Sequence, residues 1–322
     1  MAAACTTPQS PVEEPKPVWP PQEEVVLIED WSAGETAGQA HGWVSGRIEQ
    51  AARWLDGFLA TERGEEEVNY TRLRLRTDTT WEEGGEVDFD FKAQLRLRLP
   101  KTSDRLQLLF AGNPDDGTGI EGDPLDDPER ELVESERGDS SAGAEYFLLD
   151  DLKRNAKLEA GFRFRDGEPT PRVGARYRQS FTFDPLLLRF TQRVRAEEEA
   201  GTESRTTLEL DRVLAPDLFF RASTELSWFE YREGVYLRQA FLLSDRIAER
   251  STLTWIWSND FRSEPHGELD FVRLRLAWRH ALWKRSAFVE LAPEMRFDRE
   301  RDFEAAYALL LRFDVYFGAE DR

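Results

Sequence analysis

Apolar and polar residues alternate along the last regular stretch of the chain, residues 309–317. Successive side chains of a β-strand point to opposite faces, so this stretch predicts a strand with one apolar and one charged face. The apolar face holds Leu309, Leu311, Phe313, Val315 and Phe317, and the other face holds Arg312, Asp314 and the Tyr316 ring. A soluble sandwich rarely turns arginines and acids toward an enclosed side. A barrel in a bilayer has lipid outside and a polar lumen inside, and therefore does so as a rule.

The same alternation recurs from residue 68 onward and is strict at 71–76, 87–91 and 95–99. Turn signals such as Phe183-Asp184-Pro185 separate the segments. About fourteen segments result, and each is close to the ten residues that a tilted strand needs to cross a bilayer. We therefore predict an all-β fold over residues 66–318, an antiparallel up-and-down transmembrane β-barrel of about 14 strands, with 12 as the alternative count.

An even number of strands returns the chain to the side of the membrane on which the barrel began. With the N-terminal region in the periplasm, the periplasmic turns are short, at 100–104, 151–155, 182–185, 214–217, 244–248 and 281–286. A long acidic insert, residues 113–141, falls on the outer side, where barrels keep their long loops. This agreement favours the barrel over a sandwich, which alternating strands also describe.

The region before the barrel divides into two parts. Residues 1–41 are rich in Pro and Glu and predict a flexible extended segment. Apolar residues recur at three- and four-residue spacing within 42–62, which predicts a short periplasmic amphipathic helix. Cys5 follows Ala2-Ala3-Ala4, as at the end of a bacterial lipoprotein signal, and is a candidate for acylation. The alternative is a chance match in an alanine-rich terminus.

Composition narrows the class of protein further. No apolar run approaches the ~18 residues that a transmembrane helix needs, and mean hydropathy is -0.62. Aromatic residues make up 12% of the chain, which suits girdles at membrane–water interfaces. The formal net charge is -20, so phosphate backbones would be repelled and no nucleic-acid partner is expected.

Charged residues concentrate on the face predicted to line the lumen. The candidate lumen-lining residues are Arg74, Arg96, Arg98, Arg163, Arg176, Arg189, Arg273, Arg275, Arg312, Glu225, Glu290 and Asp314. Charges inside a barrel are costly unless paired, so layered Arg–carboxylate networks are expected. Two interpretations stay open: an electrostatic filter in a pore, and a network that fills and rigidifies the barrel.

Catalytic and metal chemistry find little support in the sequence. The three histidines, His41, His266 and His280, are scattered over predicted loops and turns and imply no metal cluster or other cofactor. Ser263 lies near His266, but nothing orients the pair or supplies an oxyanion site. We predict no enzyme. A lipid-acting outer-membrane enzyme and a non-membrane β-protein that binds a partner remain the alternatives.

Three short stretches carry a resemblance to known proteins: Trp54-Leu55-Asp56-Gly57-Phe58, the arm at 95–100, and Leu310-Leu311-Arg312-Phe313. Together they resemble uncharacterised proteobacterial outer-membrane β-barrel proteins. The resemblance implies the outer membrane of a Gram-negative bacterium and contact with outer-membrane lipid. An aromatic closing strand that ends at Phe317 resembles the assembly signal that the barrel-assembly machinery reads. We expect a monomer.

Overall fold

The computed structural model describes residues 72–98, 105–112, 140–151, 153–165, 168–198, 201–264, 267–283 and 286–318. The predicted segment 1–41 with Cys5 and the predicted helix at 42–62 lie outside these residues. Within the described ranges, no helix has the length and apolarity needed to cross a membrane.

The described residues form fourteen β-strands that follow one another in chain order. Their bounds are β1 Arg72–Glu82, β2 Val87–Arg98, β3 Leu106–Gly112, β4 Ser140–Asp150, β5 Arg154–Arg165, β6 Glu168–Phe183, β7 Leu186–Glu197, β8 Gly201–Ala215, β9 Leu218–Phe229, β10 Val235–Ala248, β11 Ser251–Arg262, β12 Glu268–Trp283, β13 Ala287–Asp298 and β14 Ala305–Gly318. A 3₁₀ turn, Arg299–Arg301, precedes β14.

Each strand pairs antiparallel with the next, and β14 pairs with β1, which closes the sheet into a barrel. At the closure Arg74 lies opposite Tyr316 and Arg76 lies opposite Asp314. Closure removes the unpaired strand edges that would otherwise template aggregation. The predicted all-β up-and-down barrel is therefore confirmed, and the strand count is 14 rather than 12.

Side chains alternate between the two faces of this wall as the sequence pattern predicts. On β14, Arg312 and Asp314 are buried on the inner face, at 3% and 0% exposure. Phe313 and Phe317 stand on the outer face at 42% and 52% exposure. Large apolar side chains are exposed and charged ones buried on strand after strand, which reverses the usual polarity of a water-soluble protein.

The two chain ends of the barrel, Arg72 and Gly318, lie side by side at one end. Short turns at this end join β6 to β7 and β8 to β9, within the predicted 182–185 and 214–217. The turn predicted at 244–248 is wrong, because β10 continues to Ala248 through a register shift after Asp245. Ser244 Oγ lies 3.0 Å from Thr254 Oγ1 at the first residue of the predicted turn, and the pairing of β10 with β11 continues to Ala248 opposite Ser251.

The turn between β4 and β5 is organised by one carboxylate. Asp151 Oδ1 accepts hydrogen bonds from the backbone N–H of Arg154 at 2.7 Å and of Lys153 at 3.0 Å. The Arg154 hydrogen bond, with help from its guanidinium, holds the pKa of Asp151 below its ordinary value. The Asp-x-Lys-Arg sequence thus sets a tight reversal at the end of the barrel that carries the chain ends.

Part of the interior is apolar. Leu187, Phe219, Leu242, Ile256 and Leu310 are buried on the inner face and belong to one cluster with several inward-facing alanines. These side chains come from β7, β9, β10, β11 and β14. The interior therefore combines a packed apolar cluster with charged layers.

Candidate functional site

The structure places eleven of the twelve predicted lumen-lining residues on the inner face of the barrel wall. Eleven of them are buried, each at 9% exposure or less: Arg74, Arg96, Arg163, Arg176, Arg189, Arg273, Arg275, Arg312, Glu225, Glu290 and Asp314. Arg98 lies in β2, and its side chain is outside the described part of the structure. These residues do not form one uniform ring. Two regions of the inner face differ in the arrangement of their charges.

The first region centres on Asp314 of β14. Its carboxylate lies 3.0 Å from the guanidinium nitrogens of both Arg74 and Arg76 and 2.9 Å from that of Arg279. Three strands, β1, β12 and β14, therefore converge on one fully buried carboxylate. Charge-assisted hydrogen bonds of this kind are about twice as strong as neutral ones, so they tie the closing strand to its neighbours.

Opposite charges alternate across the strands beside Asp314. Arg279, Glu290, Arg312 and Asp78 lie directly opposite one another across β12, β13, β14 and β1. Arg279 bonds Glu290 at 2.9 Å, and Arg312 bonds Asp78 with two nitrogens, at 2.8 and 3.0 Å. We call these four residues, together with Asp314, Arg74 and Arg76, the paired network.

Glu294 of β13 forms a second junction on the same side of the barrel. It bonds Arg275 at 2.5 Å, lies 3.4 Å from Arg273 and also bonds Arg296. Arg273 and Arg296 face each other across β12 and β13, and the shared carboxylate offsets their repulsion. Like charges in this region are thus compensated.

The second region, on β5 to β8, is arranged differently. Lys157, Arg176, Arg193 and Arg205 lie directly opposite one another across these four consecutive strands. All four side chains are buried, between 2% and 8% exposed. We call these four residues the basic row. Like charges directly opposite one another destabilise a sheet unless neighbouring acids compensate them.

Carboxylates lie beside the basic row, and Glu159 interacts electrostatically with both Lys157 and Arg193. Lys157 bonds Glu145 at 2.8 Å and Glu159 at 3.1 Å, and Arg205 lies 3.3 Å from Glu225. In the middle of the row, Arg176 donates to the neutral side-chain oxygen of Asn155 at 3.2 Å.

A serine–histidine pair that the sequence did not predict lies at the barrel end that carries the chain ends. Ser251 Oγ is 2.8 Å from His280 Nδ1, and the His280 ring stacks on Trp278. Of the two residues that lie close together in the sequence, His266 is outside the described residues, and Ser263 Oγ accepts a hydrogen bond from the backbone N–H of Val235. The described residues contain no group of three side chains that could hold a metal ion.

The strand order and the exposure of side chains on the two faces of the sheet define the class of protein. It is an up-and-down β-barrel with an apolar outer wall and a charged interior. No family model matches the chain, and no curated protein matches it. Among solved structures the chain is similar to OmpT, an outer-membrane protein of Vibrio cholerae, at 12% identity over 77% of this chain and 96% of that one, with a TM-score of 0.44. It is also similar to the NanC porin, at 10% identity over 75% and 98%, TM-score 0.41. OccK5 of Pseudomonas aeruginosa matches at 6% identity over 78% and 98%, TM-score 0.45. At these values the similarity does not extend to solute or activity.

Proposed function

We propose that the chain is an outer-membrane β-barrel of a Gram-negative bacterium and acts as a passive pore with an Arg- and carboxylate-lined lumen. The reversed polarity of the closed wall carries this proposal. Phe89, Phe162 and Trp257 are exposed at 62%, 52% and 48% on three different strands. Each Å² of such surface costs about 25 cal/mol in water, and soluble monomers rarely expose apolar patches beyond a few hundred Å². Lipid removes this cost.

The short turns at one end support an orientation. The end that carries Arg72 and Gly318 would face the periplasm, and the connection between β3 and β4, residues 113–139, would lie outside the cell. Outer-membrane barrels have short periplasmic turns and longer extracellular loops. The outer-membrane lipid and the barrel-assembly machinery are then the partners of the chain.

The charged inner face supports a pore rather than an inert wall. Permeating ions are selected by charged side chains that line a channel, and the basic row places four cations across β5 to β8. A second candidate, a purely structural membrane component, is favoured by the paired network, whose ion pairs fill and stiffen the interior. The two candidates differ in whether ions cross.

Planar-bilayer recording separates these candidates. The full chain, refolded in detergent, is added to a bilayer in KCl, and stepwise current increments are expected. Folding is checked beforehand by gel mobility, since a folded membrane barrel migrates differently before and after boiling. Folded protein that produces no current would contradict the pore and favour the structural role. A chain that folds in plain buffer and stays out of vesicles would contradict the membrane location and favour a partner-binding soluble protein.

A lipid-acting enzyme has one observation in its favour, the 2.8 Å contact between Ser251 and His280. Nucleophilic catalysis also needs a third orienting group and an oxyanion site, neither of which the described contacts of the pair supply. We therefore expect wild type and Ser251→Ala to leave phospholipid vesicles equally intact. Hydrolysis by the wild type that the variant abolishes would favour the enzyme.

A further inference from the structure

We propose that a cavity between the β4–β5 turn and the end of β6 binds the headgroup of an anionic phospholipid at the membrane surface that faces the periplasm. This inference rests on the membrane location in the proposed function and names a lipid partner for one end of the barrel. The cavity has a volume of about 570 Å³. Sites for small molecules have volumes of about 300–1,000 Å³, so a lipid headgroup is of a suitable size.

The cavity forms because the strands beside it end at different levels. The pairing of β5 with β6 begins at Arg154, opposite Gln179, whereas β6 continues to Phe183. The last residues of β6 therefore extend past the β4–β5 turn. Ser180 still donates its backbone N–H to the carbonyl oxygen of Lys153 at 2.8 Å. Beyond this bond, β6 borders the cavity instead of β5.

Two basic side chains line the cavity, those of Lys153 and Arg154. Both are exposed, and Arg154 is 54% exposed. Arg154 directs Nε and Nη2 to the carboxylate of Asp151, at 3.2 and 3.1 Å, so this pair uses two of its three guanidinium nitrogens. Among the described residues that line the cavity, two are basic and one is acidic. The cavity therefore keeps a positive charge, which favours an anionic ligand.

Two further acids lie near the cavity without lining it. Asp150 precedes the turn and accepts a hydrogen bond from the inward-facing Asn155 at 3.2 Å. Asp184 lies in the turn between β6 and β7. These acids lower the positive potential at this end of the barrel. The experiment below therefore compares the cavity with other basic residues at the same end.

Two phenylalanines connect the cavity with the outer wall and favour a lipid over a soluble anion. Phe181 and Phe183 stand on the outer face, 39% and 58% exposed, and their rings stack with centroids 6.4 Å apart. Arg154 lies opposite Gln179, two residues before Phe181, so its side chain belongs to the same face. Aromatic girdles of membrane barrels lie at the level of the headgroups. A lipid on this wall would bring its phosphate to Arg154 and Lys153.

The test measures lipid retention by the full chain, refolded in detergent, with native mass spectrometry and phosphatidylglycerol as the probe. Wild type is expected to retain phosphatidylglycerol in preference to phosphatidylcholine, whose headgroup carries a compensating cation. The double variant Lys153→Gln, Arg154→Gln should bind phosphatidylglycerol about tenfold more weakly or worse, because each basic residue near an anionic lipid contributes several-fold to binding. Equal retention by wild type and this variant, or equal retention of the two lipids by wild type, would overturn the site.

A matched control removes the same charge outside the cavity. Arg212, near the end of β8, and Arg250, in the β10–β11 turn, are exposed at the same end of the barrel. The variant Arg212→Gln, Arg250→Gln should retain phosphatidylglycerol as the wild type does. If it loses the lipid as fully as the double variant of the cavity, the general charge of this end is responsible and the cavity is not a site.

A soluble competitor separates a lipid site from a site for free phosphate esters. Glycerol phosphate carries the phosphate without acyl chains and should displace phosphatidylglycerol only at a much higher concentration. Displacement at equal concentrations would assign the cavity to a soluble phosphate ester and overturn the lipid site.

The outcomes also distinguish failure of this inference from failure of the pore. Channel current from a protein without a preference for phosphatidylglycerol overturns the lipid site and leaves the pore. Folded protein that shows the preference but no current contradicts the pore and leaves the lipid site. If the double variant does not shift on gels, Lys153→Gln replaces it. Asp151 accepts the backbone N–H of Lys153, so this substitution keeps the turn, and lipid binding must then fall several-fold.

Discussion

At the scale of single residues, Asp314 shows how a charge can be kept inside this barrel. Its exposure is 0%, yet Arg74, Arg76 and Arg279 all lie within 3.0 Å of its carboxylate oxygens. A buried carboxylate is tolerated when it is paired and hydrogen-bonded, and its loss leaves the partner cations uncompensated. Loss of the Asp314 carboxylate should therefore lower the stability of the closed barrel, because three guanidinium groups would lose their shared partner.

The substitution Asp314→Asn should destabilise the barrel by about 3 to 5 kcal/mol, the range for removing one partner of a buried ion pair. Asparagine keeps the shape but not the charge, so three arginines would face one another near the seam between β14 and β1. Urea unfolding in detergent, followed by tryptophan fluorescence, measures the change. Asp217→Asn, in an exposed turn, is the matched control and should stay within about 0.5 kcal/mol of wild type. Equal midpoints for the two variants would contradict a stabilising role for Asp314.

At the scale of elements, β4 and β5 approach each other through glycine. Gly143 and Gly161 lie directly opposite on the two strands. A Cβ on Gly161 would come within 2.4 Å of the Ala142 carbonyl oxygen and 2.7 Å of the Gly143 Cα. Because both contacts are to backbone, a side chain cannot be accommodated by a rotamer change alone.

Gly161→Ala should accordingly cost about 1 to 3 kcal/mol, the range for overpacking a close contact. Gly112→Ala on β3 provides the control, since its Cβ would find its nearest neighbour at 3.9 Å. The same unfolding titration compares the two. A Gly161→Ala variant as stable as Gly112→Ala would mean that β4 and β5 separate freely at this point.

The closing strand β14 is the second element with a role of its own. Phe317 and Phe313 both stand on its outer face, and Phe317 is the outer-face aromatic nearest the end of the strand. If the assembly machinery reads that terminal aromatic, Phe317→Ala should lower the amount of heat-modifiable barrel in cells several-fold. Phe313→Ala should not, and both variants should refold in vesicles as the wild type does. A refolding defect confined to Phe317→Ala would make the residue a packing contact rather than a signal.

The strands and the faces of their side chains can be predicted from the sequence, but the pairing of charged residues across strands cannot. Alternation places Arg312 and Phe313 on opposite faces whatever the neighbouring strand is. Arg176 and Arg193 are seventeen positions apart, and only the turn at Asp184–Pro185 decides that they lie opposite each other. A one-residue change in a turn would move every pair on the following strand, so neither the basic row nor the paired network around Asp314 could be predicted.

At the scale of the whole molecule, polar side chains also occur on the largely apolar outer wall. On β7 and β8, Gln192 faces outward with Ser204 and Thr206. Its amide nitrogen donates to Ser204 Oγ at 3.0 Å, and Thr206 Oγ1 donates to its carbonyl oxygen at 2.6 Å. Polar groups that face lipid must satisfy one another because no water is present. This group does so, and it is compatible with a membrane-facing wall.

Whether that wall contacts lipid or water can be decided by one charge placed at two depths. Leu208 and Leu214 both face outward on β8 and are similarly exposed, at 45% and 47%. Leu208 lies near the middle of the strand and Leu214 one residue from its end. In a bilayer, Leu208→Arg should cost about 2 to 4 kcal/mol and Leu214→Arg about 0 to 1, because an arginine near the interface reaches the headgroups. In water, both substitutions would be nearly neutral, since an exposed leucine loses little when it becomes polar. Unfolding free energies of the two variants in lipid vesicles measure the difference, and equal values would contradict a membrane-spanning β8.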